Sequence, residues 1–327
     1  MKVLITGGGG FVGRKLASRL LERGTLKGTD GGEQRIERIV LLDVVPAEGF
    51  TDPRIEVVTG DIADATLLGR VVDRNTSSVF HLAAIVSGQA EADFELGMRI
   101  NLDASRLLLD ACRAPGHRPR VVFTSSVAVY GGKLPEVVLD TTALNPQSSY
   151  GAQKAIGELL VNDYSRKGFI DGRVLRLPTI SVRPGRPNKA ASSFASGIIR
   201  EPLNGIEAVC PVAAETRLWL LSPRRAIESL IAGHELQAEA LGLSRTINLP
   251  GISVSVREMV DALQRVAGAD VVKRIRWERD PAVERIVASW PGAWDTARAK
   301  SLGLGGDADF DSVIRAHIED EKPAAVR

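Results

Sequence analysis

Short apolar runs alternate with stretches of helical periodicity through the first half of the chain. Six runs are rich in Val, Ile, Leu or Phe, and they cover residues 3–5, 39–42, 55–58, 78–82, 120–123 and 173–177. Apolar residues spaced by three or four positions predict helices that begin near residue 11 and that span 94–113 and 150–167. Strands of this apolar kind, alternating with helices, predict a doubly wound parallel sheet with helices on both faces.

The periodicity is weaker after Pro178. The elements predicted there are a loop at 183–188, helices at 191–199 and 226–237, and strands at 219–221 and 246–249. We therefore predict a first domain over residues 1–178 and a smaller C-terminal α/β lobe over 179–327, from which the chain can cross back to the first domain.

The carboxyl ends of the predicted strands carry most of the candidate chemistry. Right-handed crossovers place these ends on one edge of a parallel sheet, and ligands of such sheets bind at that edge. The residues that end the six strands are Gly7, Asp43, Asp61, Ala83, Ser125 and Pro178. They are candidates for one site by topology alone.

A glycine-rich loop, residues 6–13, lies between the first strand and the first helix. Gly7 permits a tight turn, Gly10 allows the backbone to approach a pyrophosphate, and Gly13 allows the helix to pack closely on the strand. The start of the helix adds free N–H donors beneath the phosphates. A purely structural turn is the alternative, but the position after the first strand favours dinucleotide binding.

An acid at the end of the second strand bears on which dinucleotide binds. Asp43 is expected to accept hydrogen bonds from the adenosine ribose and to repel a 2′-phosphate, which favours NAD over NADP. It lies 30 residues beyond Gly13, and a Gly-rich, charged surface insertion at 24–38 accounts for the unusual spacing. Asp61 and Ile62, after the third strand, are expected to contact the adenine of the dinucleotide. A solvated strand-end carboxylate is the alternative for Asp43.

Tyr150 and Lys154 are four residues apart in a predicted helix, so they share one face. A nearby cation favours the phenolate, and we expect Lys154, together with an oxidised nicotinamide, to lower the pKa of Tyr150. The result would be a general base that works near neutral pH. This spacing also occurs by chance in helices, but here it follows a nucleotide loop and a Ser-bearing fifth strand.

Composition excludes several other classes of protein. The 327 residues include 42 Lys and Arg against 40 Asp and Glu, a formal charge of +2, so no excess of charge favours nucleic acid or a membrane surface. Cys112 and Cys210 form no ligand pair, which favours a reducing compartment, and we expect the protein to be cytoplasmic. The four His lie apart, so no metal site is predicted. No apolar run approaches the roughly 20 residues of a membrane span.

These elements together resemble the extended short-chain dehydrogenase/reductase family, also described as NAD-dependent epimerases and dehydratases. The matching segments are 6–13, 61–62, 81–84, Asn101, 123–126, 129–131 and Tyr150-x-x-x-Lys154, with weaker matches at 248–251 and 295–304. The resemblance implies a Rossmann-type fold, the cofactor NAD and a catalytic Ser126 that hydrogen-bonds to the reacting oxygen. The implied cofactor contacts are Gly7, Gly10, Phe11, Val12, Gly13, Asp43, Asp61, Ile62, Leu82, Ala83, Ala84, Asn101, Ser125, Tyr150, Lys154 and Pro178.

Two departures from the family pattern narrow the reaction. Family dehydratases carry an Asp-Glu pair after the catalytic hydroxyl, whereas Val127 and Ala128 follow Ser126 here. Epimerases usually continue the sixth strand with an aromatic residue, Asn and Pro, whereas residues 177–180 read Leu-Pro-Thr-Ile. Simple alcohol oxidation is the economical interpretation. A sugar-nucleotide epimerase that retains its NAD, and a nucleotide-sensing module without catalysis, stay open as alternatives.

The likeness is strongest to the sugar-acid dehydrogenases of the family, over residues 83–93, 176–180 and 183–194. It implies that Tyr150 takes the proton of the C2 hydroxyl of a small sugar acid. The implied substrate contacts are Ser87, Ser126, Tyr150, Thr179, Arg183 and Ser192. The candidate cations for the carboxylate are Arg183, Arg186, Lys189 and Arg217, of which Arg183 is preferred. The family also implies a homodimer formed through the helices at 94–113 and 150–167.

Overall fold

The computed structural model describes residues 1–185, 187 and 189–321. Each of the six apolar runs in the first half of the sequence overlaps a strand. The strands of the described residues are β1 (Lys2–Thr6), β2 (Thr25–Lys27), β3 (Glu33–Arg35), β4 (Arg38–Asp43), β5 (Ile55–Thr59), β6 (Thr76–His81), β7 (Arg120–Ser126), β8 (Asp171–Leu177), β9 (Thr179–Ile180), β10 (Ala208–Cys210), β11 (Arg217–Leu221), β12 (Thr246–Asn248), β13 (Ile252–Ser255) and β14 (Ile275–Trp277).

The helices fill the connections between these strands. The α-helices of the described residues are α1 (Phe11–Arg23), α2 (Ala65–Val71), α3 (Ser87–Ala92), α4 (Phe94–Gly97), α5 (Ala104–Arg113), α6 (Ser149–Arg166), α7 (Phe194–Leu203), α8 (Pro223–Glu235), α9 (Ala238–Leu241), α10 (Val256–Ala267), α11 (Ala269–Val272), α12 (Pro281–Val287), α13 (Ala297–Ser301) and α14 (Phe310–Asp320). Short 3₁₀ turns cover Val127–Val129 and Ala191–Ser193, and Met98–Asp103 is π-helical.

Seven strands form the central sheet in the order β12-β8-β7-β6-β1-β4-β5, and every neighbouring pair is parallel. The chain first runs outwards from β1 through β4 to β5, and it then crosses to β6 on the other side of β1. The reversal opens a crevice beside the end of β1, where open α/β sheets bind ligands. The predicted fold class, a doubly wound α/β sheet of the Rossmann type with a smaller C-terminal lobe, is confirmed.

Alternate residues of β1 enter different hydrophobic cores, because successive side chains of a strand point to opposite faces. Val3 and Ile5 pack with Leu20 of α1 and with the apolar face of α8. Leu4 packs with Leu108 of α5 and with α2 on the other face. The helices therefore cover the sheet on both sides, and the open edge at the strand ends is left for ligands.

The C-terminal lobe has a core of its own. A three-stranded sheet in the order β13-β11-β9 and the two-stranded pair β10-β14 lie beside α7, α10 and α14. Phe194, Met259 and Phe310 are buried in that core. Since β9 begins two residues after β8 ends, the lobe starts directly at the edge of the central sheet that carries the strand ends.

The chain returns from this lobe to the central sheet. β12 pairs with β8 in parallel, and Leu230 and Ile231 of α8 pack into the core that contains α1. We keep the division at residue 178 as a proposal for the domain boundary, with α8 and β12 as the segments that cross back.

One local prediction was incomplete and another was wrong. The surface insertion predicted at 24–38 contains a hairpin of β2 and β3, and Leu26 and Ile36 of this segment are fully buried. The single helix expected at 94–113 is interrupted, because Met98–Asp103 is π-helical between α4 and α5. A π-helical turn holds an extra residue, so it shifts the phase of the helix at this point.

Candidate active site

Two cavities lie side by side along the carboxyl edge of the sheet and share Gly7, Gly10, Leu82 and Ala84 in their walls. We call the first, of about 310 Å³, the tyrosine cavity because Tyr150 lines it. We call the second, of about 330 Å³, the acid cavity because Asp43 and Asp61 line it. The predicted residues in the tyrosine cavity are Gly7, Gly10, Phe11, Val12, Gly13, Leu82, Ala84, Ser87, Ser125, Ser126, Tyr150, Lys154, Pro178, Thr179, Arg183 and Ser192. Those in the acid cavity are Gly7, Gly10, Asp43, Asp61, Ile62, Leu82, Ala83 and Ala84.

The glycine loop is as tight as its sequence predicts. Gly7 has a φ of +73°, in the left-handed region that favours glycine. A Cβ placed on Gly13 would lie 2.3 Å from the carbonyl oxygen of Gly7, so only glycine fits there. No side chain caps α1 at Gly10. The first N–H groups of α1 therefore point without helical partners towards the tyrosine cavity, which is an anion-binding arrangement.

Asp43 holds the same loop from the neighbouring strand. Its Oδ2 accepts a hydrogen bond from the Gly9 N–H at 3.0 Å, and its Oδ1 accepts one from the Val45 N–H at 3.2 Å. The carboxylate stands at the wall of the acid cavity, where a ribose is expected. Asp43 therefore fixes the glycine loop, and its contact with a ribose stays a prediction.

Asp61 has a partner that the sequence did not reveal. Its Oδ2 accepts a hydrogen bond from Nη1 of Arg99 at 2.6 Å, and its Oδ1 accepts one from the Ala63 N–H at 2.8 Å. The Arg99 guanidinium holds the pKa of Asp61 below its ordinary value. Arg99 lies on the π-helical segment and lines the acid cavity beside Ile62. Residues 98–103 read as a regular helix from sequence, so nothing pointed this side chain at the cavity.

Ser126, Tyr150 and Lys154 come together on the wall of the tyrosine cavity. The strand β7 ends at Ser126, and α6 begins one residue before Tyr150. The Lys154 Nζ lies 4.7 Å from the ring centroid of Phe123 and 5.8 Å from that of Tyr150. Lys154 is buried, yet its ammonium donates a hydrogen bond to no described residue. A buried ammonium with free N–H groups beside a cavity fits a hydroxyl-bearing ligand.

The ionisation of this pair differs from the prediction. Burial raises the pKa of Tyr150 to about 12, and the influences that oppose burial are the hydrogen bond with Ser126 and the charge of Arg183. Lys154 does not figure among them, because its own pKa lies below that of Tyr150, and the lysine is already neutral at the pH where the phenol ionises. Burial lowers the pKa of Lys154 itself to about 8. In the protein alone, the expected lowering of the Tyr150 pKa by Lys154 was wrong.

Arg183 lines the same cavity as Tyr150, and its positive charge favours the phenolate. Its Nη2 donates to Oγ of Ser192 at 3.1 Å, and its carbonyl oxygen accepts from Nη1 of Arg200 at 2.7 Å. Burial and the neighbouring charge of Arg200 lower the pKa of Arg183 to about 10, while Tyr150 opposes the shift. Burial has therefore removed part of the water from this guanidinium, which faces the cavity near the phenol.

Three further residues that line the tyrosine cavity come from other elements of the fold. Ser87 is buried and its Oγ accepts from the Ala191 N–H at 3.2 Å, so it fixes the segment that carries Ser192. Thr179 lies in β9, paired with Leu220. Trp290 of the C-terminal lobe also lines the cavity. From the sequence alone Trp290 could belong to the core or to an interface, because no motif surrounds it.

The remaining predicted residues do other work. Asn101 lines neither cavity: its Oδ1 accepts from the Ile85 N–H at 2.8 Å, and its Nδ2 donates to Ile85 O at 3.0 Å and to Gln153 Oε1 at 2.7 Å. Asn101 therefore fixes the loop after β6, and its contact with the cofactor stays a prediction. Ser125 lines the tyrosine cavity, but its hydroxyl donates to Glu158 at 2.5 Å.

The alternative cations for a carboxylate are placed less favourably than Arg183. Lys189 is exposed and lines neither cavity. Arg217 donates to the Ser253 carbonyl oxygen at 3.2 Å and forms an ion pair with Glu258 at 3.4 Å, outside both cavities. Arg186 lies outside the described residues.

The arrangement fits a dinucleotide on three independent observations. The uncapped start of α1 offers N–H donors to a pyrophosphate, Asp43 offers acceptors to a ribose, and Lys154 offers a free ammonium to the second ribose. The loop of Gly7 and Gly13 is too tight to hold side chains, which leaves room for phosphates. Within the described residues, no group of three or more His, Cys, Asp or Glu could hold a metal ion. In the same part of the chain, we find no helix of the length and apolarity that crossing a membrane requires.

Comparison with known proteins gives concordant results. The model of the "NAD dependent epimerase/dehydratase family" matches residues 3–219. D-erythronate dehydrogenase of Cupriavidus necator is 65% identical over 320 residues, which cover 98% of both chains. D-erythronate dehydrogenase of Haemophilus influenzae is 48% identical over 322 residues, 98% of this chain and 99% of the relative. A crystal structure described as the nucleoside-diphosphate-sugar epimerase from Agrobacterium tumefaciens superimposes with a TM-score of 0.92 at 44% identity, covering 98% of this chain and 94% of that one.

Proposed function

We propose that this chain, which belongs to the NAD dependent epimerase/dehydratase family, oxidises the C2 hydroxyl of D-erythronate to the 2-oxo acid. The protein is an NAD-dependent oxidoreductase that acts on a CH–OH group, as the family and its relatives at 65% and 48% identity indicate. The choice of substrate rests on those relatives and on one observation above the others. Arg183 and Tyr150 line the same cavity, and each influences the ionisation of the other.

A guanidinium at this place suits a 2-hydroxy acid. Its planar fork can bind a carboxylate through two parallel hydrogen bonds. In such a substrate the C2 hydroxyl is attached to the carbon next to the carboxylate. Arg183 on the carboxylate therefore directs that hydroxyl towards Tyr150 and Ser126, which line the same cavity. Ser87 and Ser192 are near enough to the cavity to bind the remaining hydroxyl groups.

Tyr150 is the proposed general base, and Ser126 the donor that stabilises the reacting oxygen. The hydroxyl proton passes to the phenol oxygen of Tyr150 as the C2–H bond breaks, and NAD supplies the acceptor for the hydride. The positive charge of Arg183 and the hydrogen bond from Ser126 both favour the phenolate. The proposed cofactor contacts are the start of α1 for the pyrophosphate, Asp43 and Asp61 for the adenosine, and Lys154 for the nicotinamide ribose.

The test is a direct assay of NAD reduction. Purified protein is incubated with NAD and D-erythronate, with other four- to six-carbon sugar acids in parallel, and NADH absorbance is followed. We expect NADH to form with D-erythronate. If no NADH formed with any of the acids, the proposal would be refuted. Tyr150→Phe is expected to lose orders of magnitude in kcat while its affinity for NAD stays unchanged, whereas a nucleotide sensor would be indifferent to this substitution.

A second candidate is a sugar-nucleotide epimerase, which the related Agrobacterium structure favours by its description. An epimerase returns the hydride to its product, so it would copurify with NAD and give no net NADH. The absence of an Asn after β8, where Pro178 and Thr179 stand, argues for the dehydrogenase. Identification of the nucleotide released from freshly purified protein distinguishes the two.

We also propose that the protein is a homodimer. Phe94 of α4, and Ile156 and Leu159 of α6, expose 54%, 40% and 68% of their surfaces, and Ile156 and Leu159 share one helix face. Light scattering after gel filtration is expected to give twice the 35.0 kDa mass of the chain, and Leu159→Glu to give the monomer. A cytoplasmic location is proposed because Cys112 and Cys210 are free and buried.

A further inference from the structure

A buried carboxylate lies directly behind the cavity wall that carries Lys154. Glu158 follows Lys154 by one helical turn on α6 and is only 2% exposed. Its Oε1 accepts hydrogen bonds from Ser125 Oγ at 2.5 Å and from Arg176 Nε at 2.8 Å, and its Oε2 accepts one from Arg176 Nη2 at 2.6 Å. The two-pronged contact with Arg176 fixes both the place and the orientation of the carboxylate.

Arg176, which binds the Glu158 carboxylate, is itself held by further hydrogen bonds. Arg176 of β8 also donates to Tyr130, and the Tyr130 hydroxyl donates to Asn248 Oδ1 at 3.0 Å. Asn248 ends β12, the outer strand of the central sheet. Burying a carboxylate and a guanidinium costs several kcal/mol for each ion, and apolar residues of similar size would often be as stable. Stability alone is therefore a poor reason for this pair.

The surroundings of Lys154 point to another reason. On α6 it is faced by Tyr150, which carries no charge below its pKa of about 12, and by Glu158. From β6 it is faced by His81, whose ring contacts hydroxyls on both sides and whose pKa burial lowers to about 3, so His81 is neutral. From β7 it is faced by the Phe123 ring.

Glu158 is thus the anion that faces Lys154 among these packed groups. Arg176 of β8 is bound to the far side of the carboxylate, and its charge is not among the influences on Lys154. Burial lowers the pKa of Lys154 and Glu158 opposes that effect. Without the carboxylate, no charge among these packed groups would oppose the effect of burial on the pKa of Lys154.

We propose that Glu158 is a positioning residue that keeps the Lys154 ammonium charged at the cavity wall, while Arg176 and Ser125 hold the carboxylate in place. The inference rests on the function proposed for Lys154, because a charged ammonium binds the hydroxyl groups of a ribose more strongly than a neutral amine does. It assigns a role to Glu158, which lies outside the Tyr150-x-x-x-Lys154 motif. The residue acts through Lys154 and touches neither cofactor nor substrate.

The experiment is a direct titration of Lys154 by NMR, in protein whose lysines carry ¹³C at Cε. The chain has ten lysines, and Lys154→Arg assigns the signal. In the native protein we expect a midpoint near pH 8. In Glu158→Gln the midpoint falls by about one pH unit or more, because burial then acts without its opposing charge. An unchanged midpoint in a folded Glu158→Gln protein overturns the proposal.

A second variant is expected to shift the titration midpoint of Lys154 in the opposite direction. It therefore distinguishes an electrostatic effect from a purely structural one. Arg176→Gln removes the cation that partly neutralises the carboxylate, while Ser125 still donates to Oε1 and keeps Glu158 in place. Glu158 then acts more strongly on Lys154, and the midpoint is expected to rise. If both variants shift it in the same direction, or if Arg176→Gln folds and leaves it unchanged, the network is merely structural. Arg176→Gln also tests the proposal by itself if Glu158→Gln does not fold.

Asp171→Asn is the matched control. Asp171 is likewise buried and paired with arginines, Arg120 and Arg173, but it begins β8 and so lies at the opposite edge of the sheet. It is expected to destabilise the fold comparably and to leave the Lys154 midpoint in place. The titration needs neither substrate nor turnover. A failure of the native protein to oxidise D-erythronate would therefore count against the proposed function only, and a failed shift against this inference only.

Discussion

Replacing Arg183 by glutamine removes the positive charge that we propose binds the substrate carboxylate and keeps a shorter, neutral side chain with an N–H donor. In the native protein the guanidinium donates through Nη2 to Ser192. Its Nε and Nη1 donate to none of the residues that the structure describes, so both stay available to a ligand. The backbone of Arg183 is held separately by Ser196 and Arg200, and these bonds do not depend on the side chain.

The size of the effect follows from the surroundings of the guanidinium. A hydrogen bond to a charged group contributes about 1.5–3 kcal/mol, and removal of one partner of a buried charge pair costs about 2–5 kcal/mol. Glutamine retains a neutral N–H donor, so we expect a loss of about 3 kcal/mol. At 1.4 kcal/mol for each factor of ten, kcat/KM for D-erythronate falls by roughly a hundredfold.

The assay compares D-erythronate with erythritol, a neutral alcohol of the same carbon number with CH₂OH in place of the carboxylate. The native enzyme is expected to prefer the acid by roughly the same hundredfold, and Arg183→Gln to lose that preference. Arg217→Gln is the control, because Arg217 lies outside both cavities and bonds to Ser253. Thermal unfolding of each variant checks that the fold is intact.

One result would refute this reasoning. If Arg183→Gln slowed the oxidation of the acid and the neutral alcohol by the same factor, the guanidinium would act on the phenolate of Tyr150 and not on a carboxylate. Loss of the preference for the acid, with little change for the alcohol, is the outcome that the proposed role requires.

Three further outcomes are expected. kcat/KM should rise with pH up to about pH 8 and level off above it, because Tyr150, with a pKa of about 12, must lose a proton while Lys154, with a pKa of about 8, must keep one; a maximum below pH 7 would contradict this. Gly13→Ala places a Cβ 2.3 Å from a loop carbonyl oxygen and should weaken NAD binding at least tenfold by calorimetry, whereas Gly69→Ala, in open space on α2, should leave affinity unchanged. Asp43→Asn should raise the ratio of kcat/KM for NADP to that for NAD roughly tenfold, since a carboxylate no longer faces the 2′-phosphate; an unchanged ratio would mean that Asp43 serves only the glycine loop.

The sequence was most informative where one residue type has one physical use. Gly7 and Gly13 could be recognised because a tight turn and a close approach exclude side chains. The apolar runs predicted the strands of the central sheet, because a parallel sheet buried on both faces needs them. The hairpin at 24–38 could not be predicted, because the segment is charged and Gly-rich and its buried apolar side chains are only Leu26 and Ile36.

Features that depend on distant parts of the chain could not be predicted. Arg99 of the π-helical segment Met98–Asp103 meets Asp61, which lies 38 residues earlier in the chain. The extra residue of a π-helical turn leaves no mark in the spacing of apolar residues. Glu158 meets Arg176 through the packing of α6 on β8. The four-residue spacing placed Tyr150 and Lys154 on one face, but it did not say where the ammonium points.

The return of the chain to the central sheet limits how this enzyme can be re-engineered. Exchanging everything after residue 178 as one cassette, in order to import another specificity, would also remove α8 and β12. The outer edge of β8 would then lose its parallel neighbour, and the core around Leu20 would lose Leu230 and Ile231. A workable chimera has to keep both segments from the recipient and graft only the stretches between them.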